Sequence, residues 1–203
     1  MPSNVTNVIT VNNVSDERVV EILAAIRMDK KNIKRNSIDF NKIIPIPSEL
    51  KNKQKYGAAD WYEWSMEHWG TNWNSYGYKD FVGCDPYNQI RFLTACSNVE
   101  LIMERLSEMF PDAEFHYRWA DEVLGVNMGE QVWENGWLME ENIPAWRSAK
   151  AYEMAAEIKG FSLDDFGFQY SEEYKTYQYV GNNEAYAYIY GEDEFEEVGG
   201  VAL

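Results

Sequence analysis

The chain has little cysteine and little histidine: Cys84 and Cys96 are two thiols in 203 residues, and His68 and His116 are the two imidazoles. Two thiols cannot build a disulfide framework or a cysteine-ligated cluster, so they read as reduced side chains. No apolar run approaches the length a bilayer span requires, which excludes a membrane-spanning helix. The opening MPSNVTNVITV lacks the basic region and the long apolar segment of a secretion signal, and the expected setting is the cytoplasm. Gly-rich phosphate loops, nucleophile elbows, HExxH spacing and Cys–His signatures are missing, as are internal repeats and low-complexity linkers.

Aromatic residues, in contrast, make up 15% of the chain within a hydrophobic share of 45%, which argues against disorder. They are densest at Ala58 to Asn74, AADWYEWSMEHWGTNWN, which holds Trp61, Trp64, Trp69 and Trp73. Trp61, Trp64 and His68 fall on one helical face, Tyr62, Met66 and Trp69 on an adjoining one, and Gly70 supplies a stop. So large an apolar payload predicts a core or interface helix around which the remaining elements pack.

Charge is divided along the chain. Residues 1 to 100 hold 12 Lys+Arg and 12 Asp+Glu, whereas residues 101 to 203 hold 6 and 22, so the second half carries the whole net charge of −16. Such a surface disfavours direct binding of nucleic acid and favours a basic protein partner. The plainer reading of the acid is solubility for an aromatic-rich chain.

In chain order, Val5 to Val11 reads as a β-branched strand, and Ser15 as the N-cap of a helix carrying Val19, Ile22, Leu23 and Ile26. Met28 to Ser37 is a basic loop. Pro45 and Pro47 make Ile38 to Leu50 an extended connector into the aromatic helix. Trp73 to Val82 reads as a strand, the GCDPYN turn follows, and Ile90 to Cys96 completes a hairpin. Ser97 and Glu100 match a capping box at the start of a second helix ending before Pro111. Glu114 to Asp121 alternates strictly as a half-buried strand, and Val123 to Glu141 is expected to extend the sheet through a hairpin at Glu134-Asn135-Gly136. A third helix runs from Trp146 to Gly160 behind Ser148, and Tyr186, Tyr188 and Tyr190 alternate as an edge strand before an acidic tail.

This order predicts an α+β chain: a ferredoxin-like split βαβ sheet with two helices on one face. A single domain over residues 1–141 carries an insertion at about 38–72, and residues 142–203 add a helix and an acidic, Tyr-rich extension packed on the same domain.

The segments DFNKIIPIPSEL, WYEWSMEHWGTNWN, FLTACS before a helix ending in FP, and EFHYRWADE together resemble the YubB ferredoxin-like domain family of phage and mobile-element proteins. The likeness spans roughly residues 1 to 160. It implies a topology rather than an iron–sulphur centre, since the cysteines for a cluster are lacking. It brings no catalytic motif, and implies a setting in the host cell cytosol.

Neither histidine has a ligand-like spacing to a carboxylate, and the adjacent acids at Asp121–Glu122, Glu140–Glu141, Asp164–Asp165 and Glu172–Glu173 fit an acidic surface better than a catalytic pair. No catalytic residue, metal or cofactor is assigned. The leading expectation is a non-catalytic accessory protein that binds a basic host protein, with nucleic-acid mimicry toward a host defence nuclease as one physical route. Its acidic contacts would be Glu172, Glu173, Glu192, Asp193, Glu194, Glu196 and Glu197, and its aromatic contacts Tyr186, Tyr188 and Tyr190. Two alternatives stay open: a small-ligand or nucleotide binder or enzyme with a pocket between aromatic helix and sheet, and a homodimer formed through exposed rings.

Overall fold

The computed structural model describes residues 3–28, 37–51, 59–77 and 86–181. Strand β1 (Asn4–Asn12) is an interior strand of a five-stranded antiparallel sheet. It pairs on one side with β2 (Gln89–Ala95) and on the other with β3 (Glu114–Asp121); β4 (Met128–Glu134) and β5 (Trp137–Asn142) follow, giving the order β2-β1-β3-β4-β5. Beyond β2 a single bridge joins Tyr76 to Leu93. Taking that bridge as the remnant of a fourth strand, the arrangement is the ferredoxin-like split βαβ, and the hairpin of β4 and β5 widens it.

Helix α1 (Asp16–Ile26) starts where Ser15 accepts the backbone N–H of Arg18, and it buries Val19, Ile22, Leu23 and Ile26. A short helix α2 (Ser48–Lys51) precedes the aromatic helix α3 (Ala59–Trp69), and α4 (Glu100–Met109) crosses between β2 and β3. The inward faces of α1 and α4 meet Val5, Ile9, Val11, Ile90, Phe92, Phe115 and Tyr117 in one core, which α3 extends with Trp61 and Trp69. Helix α5 (Ala149–Lys159) contributes instead to a second core around Val8, Ala120, Leu124 and Met128, so it lies against the other face of the sheet. Strand periodicity explains the division, because Val8 alternates with Asn7 and Ile9 along β1.

Several expectations need correction. Helix α4 begins two residues later than a Ser97 cap would place it. Val99 is its N-cap residue and makes no side-chain cap bond. The backbone N–H of Val99 is satisfied by the Tyr117 hydroxyl at 3.0 Å, a long-range partner that no local motif encodes. The strand expected over Trp73 to Val82 is, within its described part, the Tyr76 bridge alone, and residues 78–85 lie outside the described residues. A hairpin of β6 (Phe168–Ser171) and β7 (Thr176–Tyr179) was not anticipated. The expected edge strand through Tyr186, Tyr188 and Tyr190 lies outside the described residues, as do Glu192, Asp193, Glu194, Glu196 and Glu197.

The aromatic helix is buried along a narrower stripe than its sequence suggests. Trp61, Ser65 and Trp69 face inward, Trp64 is half-buried, and Tyr62 and Met66 are exposed. Trp69 donates its indole N–H to the Ile44 carbonyl at 3.0 Å and stands edge-on to Phe40 and Trp64. Trp73 does not join the core and is 38% exposed, because Gly70, at φ +72°, has already turned the chain out of the helix.

Candidate interaction surface

The hairpin that widens the sheet is built from a turn whose residues accept a left-handed backbone. Asn135 lies at φ +46° and Gly136 at φ +81°, the pair of positive values a two-residue type I′ connection requires. Gly136 also donates its N–H to the Ser107 hydroxyl on α4, which anchors the hairpin tip to the helix layer. Strand β4 alternates between core and partly covered positions, whereas all six residues of β5 are exposed.

On the face shared with α4, buried Gln131 donates to Glu141 at 2.8 Å and to Glu100 at 3.1 Å, and its oxygen accepts the Trp133 indole N–H. The Glu141 carboxylate is thereby held in place beside the start of α4. On the opposite face, Asn142 donates to Glu130 at 2.8 Å. Glu130 also lies 3.5 Å from Arg118 and 3.6 Å from His116, and Arg118 reaches Glu157 on α5 at 3.0 Å. Arg118 is therefore engaged by neighbouring acids, while Glu140 meets no cation among the described residues.

Large apolar side chains accompany these carboxylates. Trp137 is 73% exposed and Trp146 is 75% exposed, with Leu138, Met139 and Ile143 also outward. An exposed apolar strip on a strongly acidic chain marks an interaction site more often than an accident of folding, and tryptophan is the residue type most enriched at binding hot spots. Sequence reasoning placed this stretch as sheet extension and missed its exposure. The signal available was WLMEEN itself, where three apolar residues in succession break the alternation of a half-buried strand.

Of the acidic residues expected to bind, the two that are described fall elsewhere. Glu172 and Glu173 sit exposed in the turn between β6 and β7, with Glu172 paired to Lys175. Trp61 and Trp69 are core residues rather than pocket walls, and the space between α3 and the sheet is filled by Trp69, Phe40 and Phe92 in edge-on contact. Two clefts open away from that space. One, of about 350 Å³, lies between α5 and β7 and is lined by Glu153, Glu157, Phe161, Leu163, Asp164 and Tyr177. The other, of about 250 Å³, lies between α3 and α4 over Ile44, His68, Leu101 and Glu104.

At Lys159, Tyr152 and Tyr177 burial is the main perturbation of titration. Lys159, at the end of α5, donates to the Asp121 carbonyl at 2.9 Å, and burial lowers its pKa to about 8. Burial raises the Tyr152 hydroxyl and, helped by the nearby Glu153 carboxylate, that of Tyr177. No group of three or more His, Cys, Asp or Glu side chains among the described residues is placed to hold a metal. His68 stacks on Trp64 with its Nδ1 2.9 Å from the Trp64 carbonyl, and His116 lies on the sheet beside Glu130. No helix among the described residues is long and apolar enough to cross a membrane.

Residues 68–162 match a family model described as the ferredoxin-like domain in Api92-like protein. The chain thus carries a ferredoxin-like domain, as the strand order independently indicates. The match begins at the end of α3, so the IIPIP and WYEWS segments lie outside it. No curated protein and no solved structure matches the chain.

Proposed function

We propose that this chain is a non-catalytic accessory protein that binds a basic protein partner through an acidic, aromatic surface centred on β5. One observation carries the reading: Trp137, Leu138, Met139, Ile143 and Trp146 stand exposed beside Glu140 and Glu141 on a chain of net charge −16. Indole rings supply hot-spot area, and carboxylates steer a basic patch toward it and reject acidic competitors. The resemblance to the YubB family suggests a phage or mobile-element setting in the cytoplasm of a host. A host defence nuclease, whose groove normally accepts phosphates, is a partner of the right charge.

The test is affinity capture from host lysate at moderate salt with the native chain and with a Trp137→Ala/Trp146→Ala variant. A basic nucleic-acid enzyme retained by the native chain and lost by the variant supports the reading. Equal retention by both removes this surface from consideration. The small-ligand reading has its own support in the cleft between α5 and β7, whose volume of about 350 Å³ reaches the lower end of the range for ligand sites. A metabolite that co-purifies with the native chain and is lost on Tyr177→Ala would favour it.

A further inference from the structure

The free edge of β5 points to a particular mode of binding. β5 ends the sheet, none of its six side chains is buried, and its far side meets no strand among the described residues. Sheet edges left open to solvent are commonly guarded by charged side chains, above all lysine, by proline, by a bulge or by a covering segment; WLMEEN has neither lysine nor proline, and the charges it does carry, Glu140 and Glu141, oppose an acidic strand but admit a basic one. We infer that this edge receives an extended, basic segment of a partner protein as an added strand. The inference rests on the reading of this surface as protein-binding and adds the geometry.

Charge selects the occupant. Glu141 lies on the face shared with Gln131 and Glu140 on the face shared with Val132, so carboxylates flank both sides of the edge. Lysine or arginine residues of an incoming strand meet a carboxylate whichever face they take. A second copy fits worse. Antiparallel pairing of β5 with itself over all six residues sets Glu141 opposite Leu138 and Glu140 opposite Met139, and it gathers the carboxylates of two chains that each carry −16. The ladder shifts register at Val132 and Trp133, which leaves Met139 as an extra residue on β5. Continuous pairing therefore runs along residues 140–142, with Trp137 before and Trp146 after as anchors for apolar side chains.

The experiment uses the full chain and two labelled ten-residue peptides, one alternating lysine with valine and one alternating lysine with proline. The charges are equal, but proline lacks the backbone donor that strand pairing needs. Fluorescence anisotropy should show the lysine–valine peptide binding at least about tenfold more tightly, since several backbone hydrogen bonds separate the two. Amide exchange should slow at alternate residues of 137–142 on adding that peptide, because successive N–H groups of a strand point to opposite edges. Glu140→Gln with Glu141→Gln should weaken binding and flatten its salt dependence. Equal binding of both peptides overturns strand addition and leaves the acidic surface standing. Binding of neither overturns the surface reading as well. Protection appearing only at β2 or at the hairpin of β6 and β7 would overturn the inference, as would a dimer in sedimentation that protects the β5 amides without peptide.

Discussion

The Tyr117 hydroxyl, on β3, donates to the Asn7 side-chain oxygen on β1 at 2.6 Å while accepting the backbone N–H of Val99 ahead of α4. Asn7 passes the connection on, donating to Thr94 on β2 at 2.8 Å. One hydroxyl thus ties three strands and a helix start together in a site from which water is excluded. Removing it with Tyr117→Phe leaves the volume filled but abandons two buried polar groups, and should cost about 2–3 kcal/mol. Urea denaturation measures it, and an unchanged midpoint would show that the network is ornamental.

The tryptophans of the aromatic segment should separate by burial rather than by sequence proximity. Trp69→Ala removes a fully buried ring and is expected to destabilise by about 3–5 kcal/mol, whereas the more exposed Trp73→Ala should cost less than about 1 kcal/mol. Trp64, half-buried and stacked on His68, should fall between them. Thermal midpoints of the three variants check the ranking.

Gly129 on β4 is required by its neighbour. A Cβ there would stand 2.6 Å from the Trp119 ring, which is itself stacked on Tyr117. Gly129→Ala must therefore displace a buried indole, at an expected cost of about 1–3 kcal/mol for overpacking. Near-ultraviolet circular dichroism should change together with the midpoint; a silent spectrum would mean that the ring has room to move.

Alkaline pH should first stabilise and then destabilise the fold. Lys159 has a folded pKa of about 8 against 10.5 ordinarily, so between these values the unfolded chain binds more protons and stability rises with pH. The full gain is on the order of 3 kcal/mol. Above about pH 10 the direction reverses, because burial holds the Tyr117 proton on the folded chain after the unfolded chain has lost it. Stability measured in urea at pH 7, 8.5, 9.5 and 11 should pass through a maximum, and Lys159→Met should abolish the rising limb.

The elements governed by local chemistry were legible in the sequence. Ser15 and Ser148 cap their helices, Gly160 closes α5 in the left-handed conformation, and Asn135-Gly136 turns the hairpin, each as its residue type predicts. The elements decided at a distance were not. The Tyr117 hydroxyl supplanted the Ser97 cap, and the emergence of Gly70 from the helix carried Trp73 outward. The hairpin of β6 and β7 eluded pattern reading because Phe168 is its one fully buried residue, and a four-residue strand with one inward side chain shows no period. The candidate surface was hidden for the opposite reason: nothing local distinguishes an apolar residue that meets the core from one that meets water.

The interior place of β1 in the sheet, between β2 and β3, bears on the order in which the chain can acquire structure. Asn4 pairs with Ala95 and Val5 with Asp121, so the first strand of this sheet to be synthesised has both its neighbours encoded far downstream. Until about residue 95 has emerged β1 has neither partner strand, until about residue 121 it has only β2, and closing such long loops is the slow step for chains of this topology. A nascent chain stalled midway would present that strand to any other sticky segment or to a chaperone. Synthesis through Asn142, rather than gradual growth of a stable first half, is what completes the sheet.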